Sequence, residues 1–127
     1  MRRWVVRLLS IAIVVALAAC GGGEPPDARA GGQTPTETLT FVGNDQLQFS
    51  RAPEEASVGR HAIELVVDGS INHNVVFEGV NNGAPVVEAG GGETATGTVE
   101  LEAGTYTYFC GVPGHRAAGM EGTLVVD

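Results

Sequence analysis

Residues 36–127 predict an all-β domain, a Greek-key β-sandwich or barrel of seven to eight short strands. Three observations carry this. Apolar and polar residues alternate at period two along nearly every run, clusters of Gly, Asn and Asp separate the runs, and about ninety residues allow one modest core. In order, Leu39 and Phe41 alternate with Thr38, Thr40 and Val42, and Leu47 and Phe49 alternate with Gln46, Gln48 and Ser50. Ile63, Leu65 and Val67 share one parity, as do Ile71, His73, Val75 and Phe77. Ala95, Val99 and Leu101 oppose Thr94, Thr96, Thr98 and Glu100; Tyr106, Tyr108 and Cys110 are in phase, and Leu124 and Val126 close the series. Gly43-Asn44-Asp45, Asp68-Gly69-Ser70, Asn81-Asn82-Gly83, Gly90-Gly91-Gly92 and Ala103-Gly104 supply the turns. Only Pro53 to Val58 (PEEASV) reads as a short helix. No internal repeat is present.

The segment before this domain has a different composition. Met1 to Arg7 is short and basic, and Leu8 to Ala19 is an apolar run broken by Ser10. The run is too short to span a bilayer and fits the hydrophobic region of an export signal, here residues 1–19. It ends in Leu17-Ala18-Ala19-Cys20-Gly21, which resembles a bacterial lipobox. That resemblance implies cleavage before Cys20, a lipid on its thiol, and anchoring at the outer face of the cell membrane or in the periplasm. Residues 20–35, with five Gly and three Pro, read as a flexible tether.

From Cys20 onward the chain has no Lys and sets four Arg against fifteen acids, a balance of about −11. Nucleic acid is therefore a poor partner. A basic docking surface on a redox protein suits better, although solubility accounts for most of these charges. Two Cys in an exported chain ordinarily suggest a disulfide. With Cys20 acylated that bridge is impossible, and Cys110 is a lone thiol in an oxidising compartment.

Cys110 opens the pattern Cys110-x4-His115-x4-Met120, within the stretch YFCGVPGHRAAGM, and His73 lies 37 residues upstream. By strand parity, His73 and Cys110 both point inward near strand ends. Gly111, Pro113, Gly114 and Gly119 let the loop wrap tightly. A thiolate, two imidazoles and a weak thioether are the donor set of a mononuclear blue copper site: Cys and two His in a plane, with a distant axial Met.

Ile71-Asn72-His73-Asn74-Val75-Val76-Phe77 is similar to the first-histidine strand of plastocyanins. Gly104 to Cys110, with His115 and Gly119-Met120, resembles the ligand loop of the small blue copper proteins, the cupredoxins. The resemblance implies one copper ion held by His73, Cys110, His115 and Met120, with Asn74 tying the ligand-bearing segments together. It also implies a one-electron carrier rather than an enzyme, a monomer serving a cytochrome or membrane oxidoreductase. Plastocyanins have two residues between the Cys and the second His where this chain has four. The longer loop is closer to the membrane-attached auracyanin and halocyanin group.

A copper storage or delivery module is the alternative within the same chemistry. A Cys–His nucleophile pair lacks an orienting third group. A dinuclear copper centre needs a second loop Cys, which is absent, and zinc in this site would be a loading artefact. Tyr106, Tyr108 and Phe109 read as core packing, Arg116 as a solvated loop charge, and His61 as an ordinary strand-edge residue beside Arg60.

Overall fold

The computed structural model describes residues 34–127. The expected signal peptide, Cys20 and the tether as far as residue 33 lie outside the described residues. Nine strands follow in order: β1 (Glu37–Asn44), β2 (Gln48–Arg51), β3 (Glu55–Ala56), β4 (Gly59–Asp68), β5 (His73–Phe77), β6 (Val87–Ala89), β7 (Thr94–Leu101), β8 (Gly104–Phe109) and β9 (Glu121–Val126). Short 3-10 turns occupy Asn81–Gly83 and Arg116–Ala118. One sheet has the order β2-β1-β4-β7, the other β3-β9-β8-β5-β6. β1 pairs parallel with β4 and β3 with β9; the other pairings are antiparallel.

The two sheets close over a core in which Phe41 of β1 meets Phe49, Phe77 and Tyr108 edge-on, at ring-centroid distances of 5.6, 6.2 and 5.0 Å. Each such aromatic pair contributes about 0.5–1.5 kcal/mol beyond simple burial. Ile63 and Leu65 of β4 and Leu124 of β9 are fully enclosed. These residues have the inward parity that alternation predicts.

Three expectations are corrected. Pro53–Val58 is not helical: Glu55–Ala56 forms a two-residue strand held parallel to β9, and Val125 N donates to the Glu54 carbonyl at 2.9 Å. Tertiary pairing overrides a weak local preference there. The strand count is nine because β3 and β6 are too short to show a period. His61 is no edge residue. It is wholly buried in β4, a central strand, and its Nε2 donates to the Ser57 carbonyl at 2.8 Å. Its parity matches Ile63, Leu65 and Val67, so the inward direction was readable from the alternation itself.

β5 departs from alternation: all five residues, His73–Phe77, are buried. Its outward side is covered near Asn74 and Val76 by the segment at Gly111. A Cβ on Gly111 would lie 3.0 Å from Val76 Cγ2 and 3.3 Å from Asn74 Oδ1. The loop after Cys110 thus lies across the strand that begins with His73.

Candidate metal centre

β1 and β4 run in the same direction and finish together, with Gly43 opposite Val67 and Asn44 opposite Asp68. The turn beyond β4 then delivers His73. The Asp45 carboxylate fixes this turn by accepting from Ser70 N at 2.8 Å, Ile71 N at 3.0 Å and Ser70 Oγ at 3.1 Å. Those bonds, led by the Ser70 amide, hold the Asp45 carboxyl below its usual range. β8 delivers Cys110 to the same end. The next segment folds back through the turn Arg116–Ala118, which Gly119 closes at φ 106 by donating from its N–H to the Arg116 carbonyl at 2.9 Å. Gly suits that left-handed position, where a side chain would be strained. Cys110 N donates to the Met120 carbonyl at 3.0 Å, and Met120 N to the His115 carbonyl at 3.1 Å. The three residues are therefore tied by their backbones before any metal is considered.

Three side chains converge. His73 Nδ1 and His115 Nδ1 lie 3.3 Å apart, and Cys110 Sγ is 3.4 Å from His115 Nδ1 and 3.9 Å from His73 Nδ1. His73 and Cys110 are fully buried and His115 is 8% exposed. Among the described residues, these three side chains form a group whose donor atoms lie close enough together to hold one metal ion, and Cys110 is a free thiol there. A point equidistant from the corners of this triangle lies about 2.1 Å from each. That matches metal–imidazole distances of about 2.0–2.1 Å and approaches the thiolate distance of about 2.3 Å for a first-row ion. Two imidazole nitrogens and a sulfur turned toward one another in a buried space are soft and borderline donors suited to a single metal ion. By donor type and spacing the set fits copper.

Burial lowers the pKa of His73, and the neighbouring His115 lowers it further; the Asn44 carbonyl and Asp45 partly oppose this. The ring is thus biased toward the neutral, metal-binding form. His73 Nε2 has no partner in strict hydrogen-bond geometry, although the Asn44 carbonyl lies near enough to favour a proton on the ring.

Asn74 links the two halves. Its backbone N–H donates to Cys110 Sγ at 3.5 Å, and its side-chain Oδ1 accepts from Gly111 N at 2.6 Å. Met120 is fully buried, and its Cε approaches the same spot as the His73 ring, beside Gly43. Gly43 is a site residue that sequence reasoning read only as part of a turn. It is buried inside β1, and a Cβ there would lie 2.8 Å from His73 Cδ2 and 3.1 Å from Met120 Cε. Its inward parity with Leu39 and Phe41 was the available signal. Arg116 also differs from the solvated charge expected of it. It donates to Glu78 Oε1 and Glu121 Oε2, each at 2.8 Å, and lies 4.1 Å from the centroid of the Phe109 ring.

Comparison with known proteins agrees with this architecture. The chain is 30% identical over 142 aligned residues to plastocyanin of Nostoc punctiforme, across 100% of this chain and 94% of that protein. The solved structure of auracyanin B superposes with a TM-score of 0.59 at 23% identity, covering 75% of this chain and 91% of that one, a likeness of fold. A sequence profile of the copper binding proteins of the plastocyanin/azurin family matches residues 35–127. The chain belongs to the plastocyanin/azurin family of copper-binding proteins, whose members carry electrons rather than transform substrates.

Proposed function

We propose that this protein is a type 1 blue copper electron carrier, in which His73, Cys110, His115 and Met120 would hold the ion. The observation that supports it best is the buried triangle of two Nδ1 atoms and one Sγ, with sides of 3.3, 3.4 and 3.9 Å. Copper held by these residues would supply one-electron chemistry, between Cu(I) and Cu(II). The protein's part is to keep the donors in one arrangement for both states. Cys110 and His73 project from paired strands of a packed sandwich, which resists movement. The Asn74 N–H bond stabilises negative charge on the Cys110 sulfur, and its Oδ1 holds the start of the ligand loop. His115, the least buried of the three, is the route between the site and a partner.

The partner in this reading is a redox protein, a cytochrome or membrane oxidoreductase, met outside the cytoplasm. Residues 1–19 are the export signal, Cys20 carries the lipid, residues 20–35 are the tether and 36–127 the working domain, active as a monomer. Replacing Cys20 with Ser should release the protein from the membrane fraction; retention there overturns the anchor.

Visible absorption and electron paramagnetic resonance of the copper-loaded protein test the central claim. An intense blue or green colour with narrow copper hyperfine splitting is expected, lost in Cys110→Ser. A colourless protein with an ordinary square-planar copper spectrum and ready metal release favours storage or delivery instead.

A further inference from the structure

We propose that Arg116 is a positioning residue whose guanidinium straps the ligand loop from outside and maintains the spacing of the donors beneath it. The inference rests on the ligand reading given above. Its basis is where the partners of this one side chain sit. Phe109, under the guanidinium, directly precedes Cys110; Arg116 itself directly follows His115; Glu121 directly follows Met120. Glu78 directly follows β5, the strand that opens with His73, and its N–H donates to the Thr107 carbonyl of β8 at 2.9 Å. The segments of Cys110, His115 and Met120 therefore each bring a residue adjacent to a proposed ligand to this guanidinium, and β5 brings Glu78 from the end opposite His73. Phe109, Glu121 and Glu78 thus meet at Arg116, on the outside of the segments that carry the proposed ligands.

The loop needs such a fastening. Between Gly111 and Gly119 the one buried side chain is that of His115; the remaining positions are exposed or half-buried. Backbone with so few buried contacts opens locally at low cost. Arg116 is suited to close it. A planar guanidinium can donate along two edges while its face stacks on an aromatic ring, a combination an ammonium cannot reproduce. Here Nη2 takes Glu78, Nε takes Glu121 and the face takes Phe109. The Arg116 side chain is 40% exposed and its glutamate partners 51% and 45%. Each ion pair alone is therefore weak and sensitive to salt. The effect on the site comes from joining three neighbours of the proposed ligands at one point.

The test uses Arg116→Met, Arg116→Lys, Glu121→Gln and, as a control for general destabilisation, Ile63→Val in the enclosed core. In the metal-free protein, hydrogen exchange at the Ala118, Gly119 and Met120 amides should quicken in Arg116→Met while exchange along β4 does not. In the copper-loaded protein, transfer of copper to an excess chelator should accelerate about 3- to 30-fold, the range expected from two half-exposed ion pairs and one cation–π contact. The absorption bands should shift as well. Arg116→Lys should restore part of the difference, and Glu121→Gln should fall between Arg116→Met and the parent. At about 1 M salt, where screening acts over about 3 Å, the parent should approach the Arg116→Met rate, and Arg116→Met should change little. Equal release rates in parent and Arg116→Met overturn the proposal. So does an Ile63→Val variant of matched melting temperature that releases copper just as fast. The exchange measurement needs no copper, so it reads the strap even if Cys110→Ser shows that the ligand assignment has failed.

Discussion

Gly43→Ala adds a single methyl group to a buried strand and should disable the metal centre without unfolding the domain. The backbone at Gly43 is outside the left-handed region, so alanine brings no conformational strain. The difficulty is space. The new Cβ would lie 2.8 Å from His73 Cδ2, 3.0 Å from His73 Cγ and 3.1 Å from Met120 Cε. Carbon atoms rest about 3.5–4.0 Å apart, so the ring or the strand must retreat by about 0.4–1.2 Å. A preorganised site tolerates about 0.5 Å, and much of that range lies beyond it. Overpacking of this kind costs about 1–3 kcal/mol, which for a domain of this size lowers the melting temperature by roughly 5–20 °C. Copper affinity should fall by about 10–100-fold, the usual consequence of disturbing the support of a metal ligand. Calorimetry of the metal-free protein measures the first effect; competition with a chelator and the visible spectrum measure the second. Gly104→Ala is the control, because its Cβ would meet only Tyr106 Cε2, at an ordinary 3.8 Å. An unchanged colour and affinity in Gly43→Ala, with His73 in its parental position, would refute the close-approach account.

Asn74→Ala should cost about 1–3 kcal/mol, because it leaves the Gly111 N–H without the Oδ1 that now accepts from it at 2.6 Å; chemical denaturation checks this. His61→Ala should cost about 2–4 kcal/mol through the cavity and the unpaired Ser57 carbonyl, yet leave the copper spectrum unchanged. His61 pairs opposite Glu37 whereas Gly43 lies opposite Val67, a separation of about 20 Å along the strands. Asp45 is held below its ordinary value of 3.8 in the folded chain by the Ser70 and Ile71 amides. Its contribution to stability is therefore full above about pH 4 and disappears as pH falls through the lower, folded value. Acid unfolding of metal-free Asp45→Asn should accordingly depend less on pH in that window than the parent does.

Alternation located the inward residues wherever one face of a strand is packed and the other wet. Leu39, Phe41, Ile63, Leu65, Leu124 and Val126 follow it because burial on one face imposes a period of two. The rule weakens at β5, where the ligand loop covers the second face, and at β3 and β6, which are too short to display a period. The convergence of His73, Cys110 and His115 was legible because three of the four candidate ligands lie within eleven residues and carry distinctive donor atoms. Gly43 was legible only as an inward-facing position, and the role of Arg116 was not legible. A glycine's role as the neighbour of a ring that leaves no room for a methyl group depends on parallel pairing of β1 with β4. The role of Arg116 depends on Glu78, 38 residues away, meeting Glu121 across a sheet. Such long-range placements have no local signature.

The direction of β1 has a mechanical consequence. This strand begins at Glu37 and runs toward the end of the sandwich where His73, Cys110 and His115 meet, so Glu37 itself lies at the opposite end. A bead, electrode or other solid support coupled before Glu37 would hold the domain like a lamp on its stem, with the bulb facing outward. Immobilisation through that end should leave collisions with freely diffusing reductants unhindered while keeping the support itself a poor direct electron source.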